Sequence, residues 1–102
     1  MEGKCEMKGF LTFLILRMIS KQQMSGDSIR AELEKRRGCK PSPGTIYPAL
    51  KSLQNQGLIL ESKDNGKTKY YVLTEQGKKE LKIASKKFVM LFYDMKEEFE
   101  KI

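Results

Sequence analysis

Ser42, Thr45 and Tyr47 place three hydroxyls at the start of a segment that reads as a helix, and Lys51 adds an ammonium one turn beyond Tyr47. Hydroxyls at a helix N-terminus can donate to an anionic oxygen, and the helix dipole favours negative charge there. Lys63, Lys67 and Lys69 follow in a second cluster, and Lys40 precedes the first. This chemistry binds; it does not make or break bonds. The chain contains no histidine, which removes the usual general base and nitrogen ligand. Cys5 and Cys39 are too far apart in sequence for a Cys-x-x-Cys site. Glu97, Glu98 and Glu100 read as a solvated helix face. No catalytic residue, metal site or cofactor is expected.

The elements that must position these groups are short. Gly44-Thr45-Ile46-Tyr47-Pro48-Ala49-Leu50 and Leu53 describe a helix that buries Ile46, Ala49, Leu50 and Leu53 and stops at Gly57. Its other face carries Thr45, Tyr47, Lys51, Ser52 and Asn55. Pro48 lacks a backbone donor, so the helix is expected to begin late or to bend at that turn. Before it, Lys8 to Ser20 is apolar on much of a helical circumference, which suits a central helix or one shared with a second subunit. Ser25-Gly26-Asp27-Ser28 supplies cap oxygens for a second helix over Ile29, Ala31 and Leu33, and Gly38 supplies a stop. Cys39 to Gly44, with Pro41 and Pro43, is a loop.

Two runs rich in branched and aromatic residues, Leu58 to Lys63 and Thr68 to Leu73, flank Asp64-Asn65-Gly66-Lys67. An Asn-Gly pair in that setting predicts a hairpin with a tight primed turn. Tyr70 and Tyr71 should point to opposite faces, one core and one exposed. Thr74 can cap a final helix that runs almost to the end, with Gly77 a weak spot near its start.

Three helices and a hairpin are the order of a winged helix-turn-helix, and the charge agrees with it. The net charge of +7 is uneven. Residues 35 to 69 hold Lys35, Arg36, Arg37, Lys40, Lys51, Lys63, Lys67 and Lys69 against only Glu61 and Asp64. The excess therefore lies on the third helix and the hairpin, as a footprint on phosphates would. The third helix would enter the major groove and the hairpin would lie along the backbone. For Tyr47 two readings stand: contact with DNA, or a ring packed under the wing with only its hydroxyl exposed. A protein-docking module on the same fold is the alternative function.

The final helix carries Leu81, Phe88, Met95 and Ile102 at sevenfold spacing, joined by Ala84, Leu91, Phe92 and Phe99. That stripe can fold back on its own domain, form a homodimer interface, or line an effector pocket with Phe88, Phe92, Met95 and Phe99. Of these, dimerisation through Leu81, Phe88, Leu91, Phe92, Met95 and Phe99 is the expectation.

The Tyr-Pro-Ala-Leu motif at 47 to 50, Gly57-Leu58-Ile59, and Leu73-Thr74-Glu75-Gln76-Gly77 with Leu81 resemble the PadR family of bacterial and archaeal transcriptional regulators. The resemblance covers roughly residues 8 to 82. It implies a dimeric winged-helix protein, usually a repressor, whose C-terminal helix forms much of the dimer interface. A single helix after Thr74 looks like the short form of the family. Tyr47 then matches the family's recognition-helix tyrosine, and Lys63, Lys67 and Lys69 its basic wing. Related short regulators bind aromatic effectors between subunits, often on a tryptophan, and this chain has none. Ser25-Gly26-Asp27 departs from the histidine, glycine and tyrosine common in the family at that place.

A length of 102 residues suits one small unit, here a DNA-binding domain over 1–74 and a dimerisation helix over 75–102. Hydrophobic residues at 39 % and charged residues at 32 % indicate a folded chain. The apolar run from Phe10 to Ile19 is too short for a membrane span and lacks a cleavage site after it, so a cytoplasmic protein is expected. In that compartment two reduced thiols are expected at Cys5 and Cys39, with a disulfide between them the alternative.

Overall fold

A computed structural model describes residues 10–64 and 66–101 of the chain. Helices α1 (Leu11–Lys21), α2 (Gly26–Arg37) and α3 (Pro43–Asn55) precede strands β1 (Ile59–Asp64) and β2 (Thr68–Leu73), and α4 (Glu75–Asp94) and α5 (Lys96–Glu100) follow. This is the predicted winged helix-turn-helix order, mainly α with one antiparallel hairpin. The predicted start of the first helix at Lys8 lies outside the described residues.

Local chemistry explains the ends of α2 and α3. Ser25 accepts the Ser28 N–H at 3.1 Å, and Gly38, at φ +79°, returns its N–H to the Glu34 carbonyl. At the end of α3, Gly57 adopts φ +76° and bonds the Gln54 carbonyl, while the Leu58 N–H reaches the Leu53 carbonyl at 3.0 Å. That pair of bonds is a Schellman motif, which needs a left-handed residue and finds a glycine. It also turns Leu58 into the core.

One core joins these elements. Ile15, Leu16, Met18 and Ile19 of α1 meet Ile29 and Leu33 of α2, Ile46, Leu50 and Leu53 of α3, and Leu58, Ile59 and Tyr71 of the hairpin. Tyr71 is buried and Tyr70 only half-buried, as strand alternation requires.

The structure corrects five expectations. Of the two outcomes expected from Pro48, the late start is not the one found: Pro43 occupies the first turn of α3, where a missing N–H costs nothing, and Pro48 sits inside the helix. The hairpin ladder ends at Asp64 opposite Thr68, so the loop has three residues, with Gly66 at φ +77°, and is not a two-residue primed turn. Asn65 lies outside the described residues. The final helix divides at Met95. In a continuous helix Phe92 and Phe99 would stand about 10 Å apart along the axis; the break brings their rings to 5.0 Å. Cys39 is disulfide-bonded rather than reduced, since separation in sequence does not fix separation in space; Cys5 lies outside the described residues.

Gly77 is the fifth, and it is no weak spot. The Thr74 hydroxyl donates to the Gly57 carbonyl at 2.6 Å and accepts the Gly77 N–H at 2.9 Å, and the Thr74 N–H bonds the Leu58 carbonyl at 3.0 Å. A Cβ on Gly77 would overlap the Leu58 carbonyl oxygen. Only glycine lets the first turn of α4 lie against the chain leaving α3.

An element no sequence pattern announces is the single bridge between Met24 and Tyr71, which exchange both backbone hydrogen bonds. It ties the α1–α2 connection to the edge of β2. Helix α4 is held to α1 by rings: Phe88 stacks on Phe13 at 5.0 Å and meets Phe10 edge-on at 5.6 Å.

Gly77→Ala is expected to destabilise the fold by about 3 kcal/mol, read as a lower urea midpoint at constant slope. An unconstrained helical Gly→Ala change moves stability by about 1 kcal/mol in the opposite direction, so the sign of the shift decides.

Candidate nucleic-acid interface

The first turn of α3 stands clear of the core. Ser42, Thr45, Tyr47, Pro48 and Lys51 are exposed, while Ile46 and Leu50 anchor the opposite face. The Ser42 and Thr45 hydroxyls are hydrogen-bonded to each other at 3.2 Å, so each keeps further bonding capacity toward solvent. Lys40, in the loop before the helix, is also exposed.

Tyr47 is 41 % exposed but not loose. Its ring lies on the start of α2, where a Cβ on Gly26 would come within 2.6 Å of it. Asp27, the next residue of α2, lines the same cleft as Tyr47. Asp27 pairs with Arg30 at 3.1 Å, and Arg30 Nε donates to the carbonyl of buried Pro41 at 2.8 Å. The ring therefore rests on α2. In the Ser25-Gly26-Asp27 stretch, Ser25 caps α2, Gly26 makes room for the ring and Asp27 pairs with Arg30.

The wing forms the opposite wall. Tyr47, Lys67, Thr68, Lys69 and Tyr71 line one open cleft with Ser25, Gly26 and Asp27, about 310 Å³ in volume. Lys63 lies directly opposite Lys69 in the ladder. Like charges so placed repel, and an anion between them relieves that repulsion. Glu61 offsets part of it, since its carboxylate lies 3.7 Å from Lys69 Nζ and accepts a hydrogen bond from Gln54 of α3. The structure thus brings Tyr47, Lys67 and Lys69 to one cleft. Lys40, Ser42, Thr45 and Lys51 are exposed on or beside α3 without lining it, and Lys63 reaches it only through its cross-strand neighbour.

Sequence reading missed Gly26 and Arg30. A cap signal marks the start of α2, but nothing local indicates that its first residue receives the ring of a tyrosine on the next helix or that Arg30 reaches the Pro41 carbonyl.

The C-terminal stripe divides in two. Leu81 packs against the core and Phe88 against α1, both half-buried. Leu91, Phe92, Met95 and Phe99 are exposed by 39 to 52 %, and Val89, Met90 and Tyr93, outside the sevenfold pattern, are more exposed still. Of the four residues expected to line an effector pocket, Phe92 and Phe99 border an open cleft with Val89, Tyr93 and Lys96. No described helix is long and apolar enough to cross a membrane.

Partial burial, and after it the Asp27 carboxylate, hold the Tyr47 phenol above the ordinary tyrosine range. Burial raises Tyr71 likewise, helped by Glu61. Both folded values lie above the unfolded one, so the stability they contribute is complete below about pH 10 and is lost as pH rises through the folded values. Urea midpoints measured across that range should fall less steeply for Tyr47→Phe and Tyr71→Phe than for the unaltered protein; equal slopes would contradict the assignment.

The sequence matches the Transcriptional regulator PadR-like family over residues 15–83. It is 38 % identical over 71 residues to Transcriptional regulator YqjI of Escherichia coli (strain K12); the match takes in 68 % of this chain and 34 % of that protein, so the chain spans about a third of its relative's length. The fold is similar to that of a PadR family transcription regulator from hypervirulent Clostridium difficile R20291, with a TM-score of 0.76 and 27 % identity over 89 % of this chain and 99 % of the other. A PadR-like transcriptional regulator from Bacillus cereus strain ATCC 14579 gives a TM-score of 0.80 and 28 % identity, covering 91 % and 94 % of the two chains. These relatives are regulators and not enzymes, and the family match takes in the Tyr-Pro-Ala-Leu motif, the hairpin and Leu81 alike; the protein belongs to the PadR-like family of transcriptional regulators.

Proposed function

We propose that the protein acts as a homodimeric DNA-binding repressor in the cytoplasm, with α3 in the major groove and the wing on the phosphate backbone. The observation that carries this reading is the shared cleft: the exposed ring of Tyr47 on α3 faces Lys67 and Lys69 on the wing. A groove edge and its flanking backbone are reached together from such a surface. In the proposal Thr45 and Tyr47 touch bases, Ser42 and Lys40 touch the phosphate at the start of α3, and Lys51, Lys63, Lys67 and Lys69 touch the backbone on either side.

Residues 1–74 form the DNA-binding domain of this reading and 75–102 the dimerisation segment. Two copies joined through Leu91, Phe92, Met95 and Phe99 would present two α3 helices about 34 Å apart, one turn of DNA, to a near-palindromic operator. Leu81 and Phe88 serve that interface chiefly by anchoring α4 to its own domain. A small aromatic effector between subunits would meet Phe92 and Phe99.

Fluorescence anisotropy with duplexes from upstream of the gene tests DNA binding. Affinity should fall steeply between roughly 50 and 200 mM salt, and replacing Lys63, Lys67 and Lys69 by Ala should weaken binding to all sequences and reduce the salt slope by about one per lysine. Thr45→Ala should instead change sequence preference. An affinity indifferent to salt would leave the protein-docking alternative in its place. Phe92→Asp with Phe99→Asp should sediment as a monomer; a dimer that persists puts the interface elsewhere.

A further inference from the structure

One face of the hairpin runs out of the core into its cationic end. Ile59, Glu61 and Lys63 alternate onto that face of β1, opposite Leu73, Tyr71 and Lys69 of β2. Ile59 and Tyr71 are buried, so Glu61 stands where the core ends and the lysines begin. Its two carboxylate oxygens are divided between α3 and the wing. Oε1 accepts from Gln54 Nε2 of α3 at 3.3 Å, and Oε2 lies 3.7 Å from Lys69 Nζ. At that separation the ammonium is paired but beyond hydrogen-bond reach, so the pair is easily exchanged. The Glu61 side chain is 27 % exposed and that of Lys69 55 %. The carboxylate is thus the sheltered partner, and the ammonium is the one that can turn outward.

We infer that Glu61 is an internal stand-in for phosphate: it occupies Lys69 in the free protein and holds down the wing's affinity for a nucleic-acid backbone, with Gln54 as the positioning residue that aims it. This rests on the DNA-binding reading above. Lys69 reaches a phosphate only by leaving the carboxylate. The carboxylate, kept in place by Gln54, then repels the same phosphate. Both effects subtract from the backbone term of binding, which is common to all sequences and scales with the charge neutralised. A smaller backbone term leaves more of the total to whatever α3 reads from the bases.

Glu61→Gln removes the charge while its amide oxygen still accepts from Gln54. In anisotropy it should tighten binding to an upstream duplex and to a scrambled one alike, by about threefold each, and steepen the salt slope by about one. Glu80→Gln removes the same charge from α4 and should change neither; an equal gain there means that net charge alone is at work and overturns the assignment. Gln54→Ala should give part of the gain in the unaltered chain and none in Glu61→Gln, as partners in one interaction do. The same gain in both backgrounds removes Gln54 from the arrangement. A DNA-free arm uses inorganic tripolyphosphate, followed through the Lys69 side-chain resonances, whose affinity should also rise about threefold in Glu61→Gln. If the unaltered protein binds no duplex while tripolyphosphate still separates the two chains, the stand-in holds and the DNA reading fails. Equal tripolyphosphate affinities overturn the stand-in whatever the duplexes do.

Discussion

The close passage of Gly77 beneath the Leu58 carbonyl sets the geometry of everything after the third helix. Three chain segments meet there: the end of α3, the base of the hairpin and the first turn of α4. Thr74 is the shared fastening, donating to Gly57, accepting from Gly77 and bonding Leu58 through its own N–H. Each bond is worth about 1 kcal/mol, so the joint matters less for its energy than for its exclusivity. The backbones can come this close only without a side chain at residue 77. The base of the wing, the end of α3 and the departure of the C-terminal arm all meet at this point.

From that joint the basic groups acquire a common direction. Glu61 links Gln54 of α3 to Lys69 of β2, so the wing is tied to the helix by side chains as well as by backbone. The lysines beyond it stay exposed, and the cross-strand repulsion of Lys63 and Lys69 leaves them short of negative charge. They are concentrated on the hairpin end and beside α3, with the α1 end of the domain left nearly neutral.

The phenylalanines make one continuous row. Phe10 and Phe13 hold Phe88, Phe88 touches Phe92 at 4.5 Å, and Phe92 touches Phe99. The inner part of the row docks α4 on the domain, and the outer part stands exposed beyond it. One aromatic stripe thus has two environments, which the uniform sevenfold spacing in the sequence conceals.

What the sequence alone determined was whatever depends on neighbours within about a turn of helix or a tight loop. The cap at Ser25, the left-handed glycines 38 and 57, the buried face of α3, the alternation of Tyr70 and Tyr71 and the basic hairpin were all legible, because each is decided by local dihedral preference or by periodicity. Tertiary structure alone decided the rest. Gly77 looks like a helix defect until Leu58 is beside it, Gly26 looks like a plain helix start until the Tyr47 ring lies on it, and Met24 looks like loop until it pairs with Tyr71. The break at Met95 carries no glycine or proline to announce it, and across it the Phe92 and Phe99 rings meet at 5.0 Å. These features arise from close approach between segments remote in the chain, and such approach is fixed by packing the whole core at once.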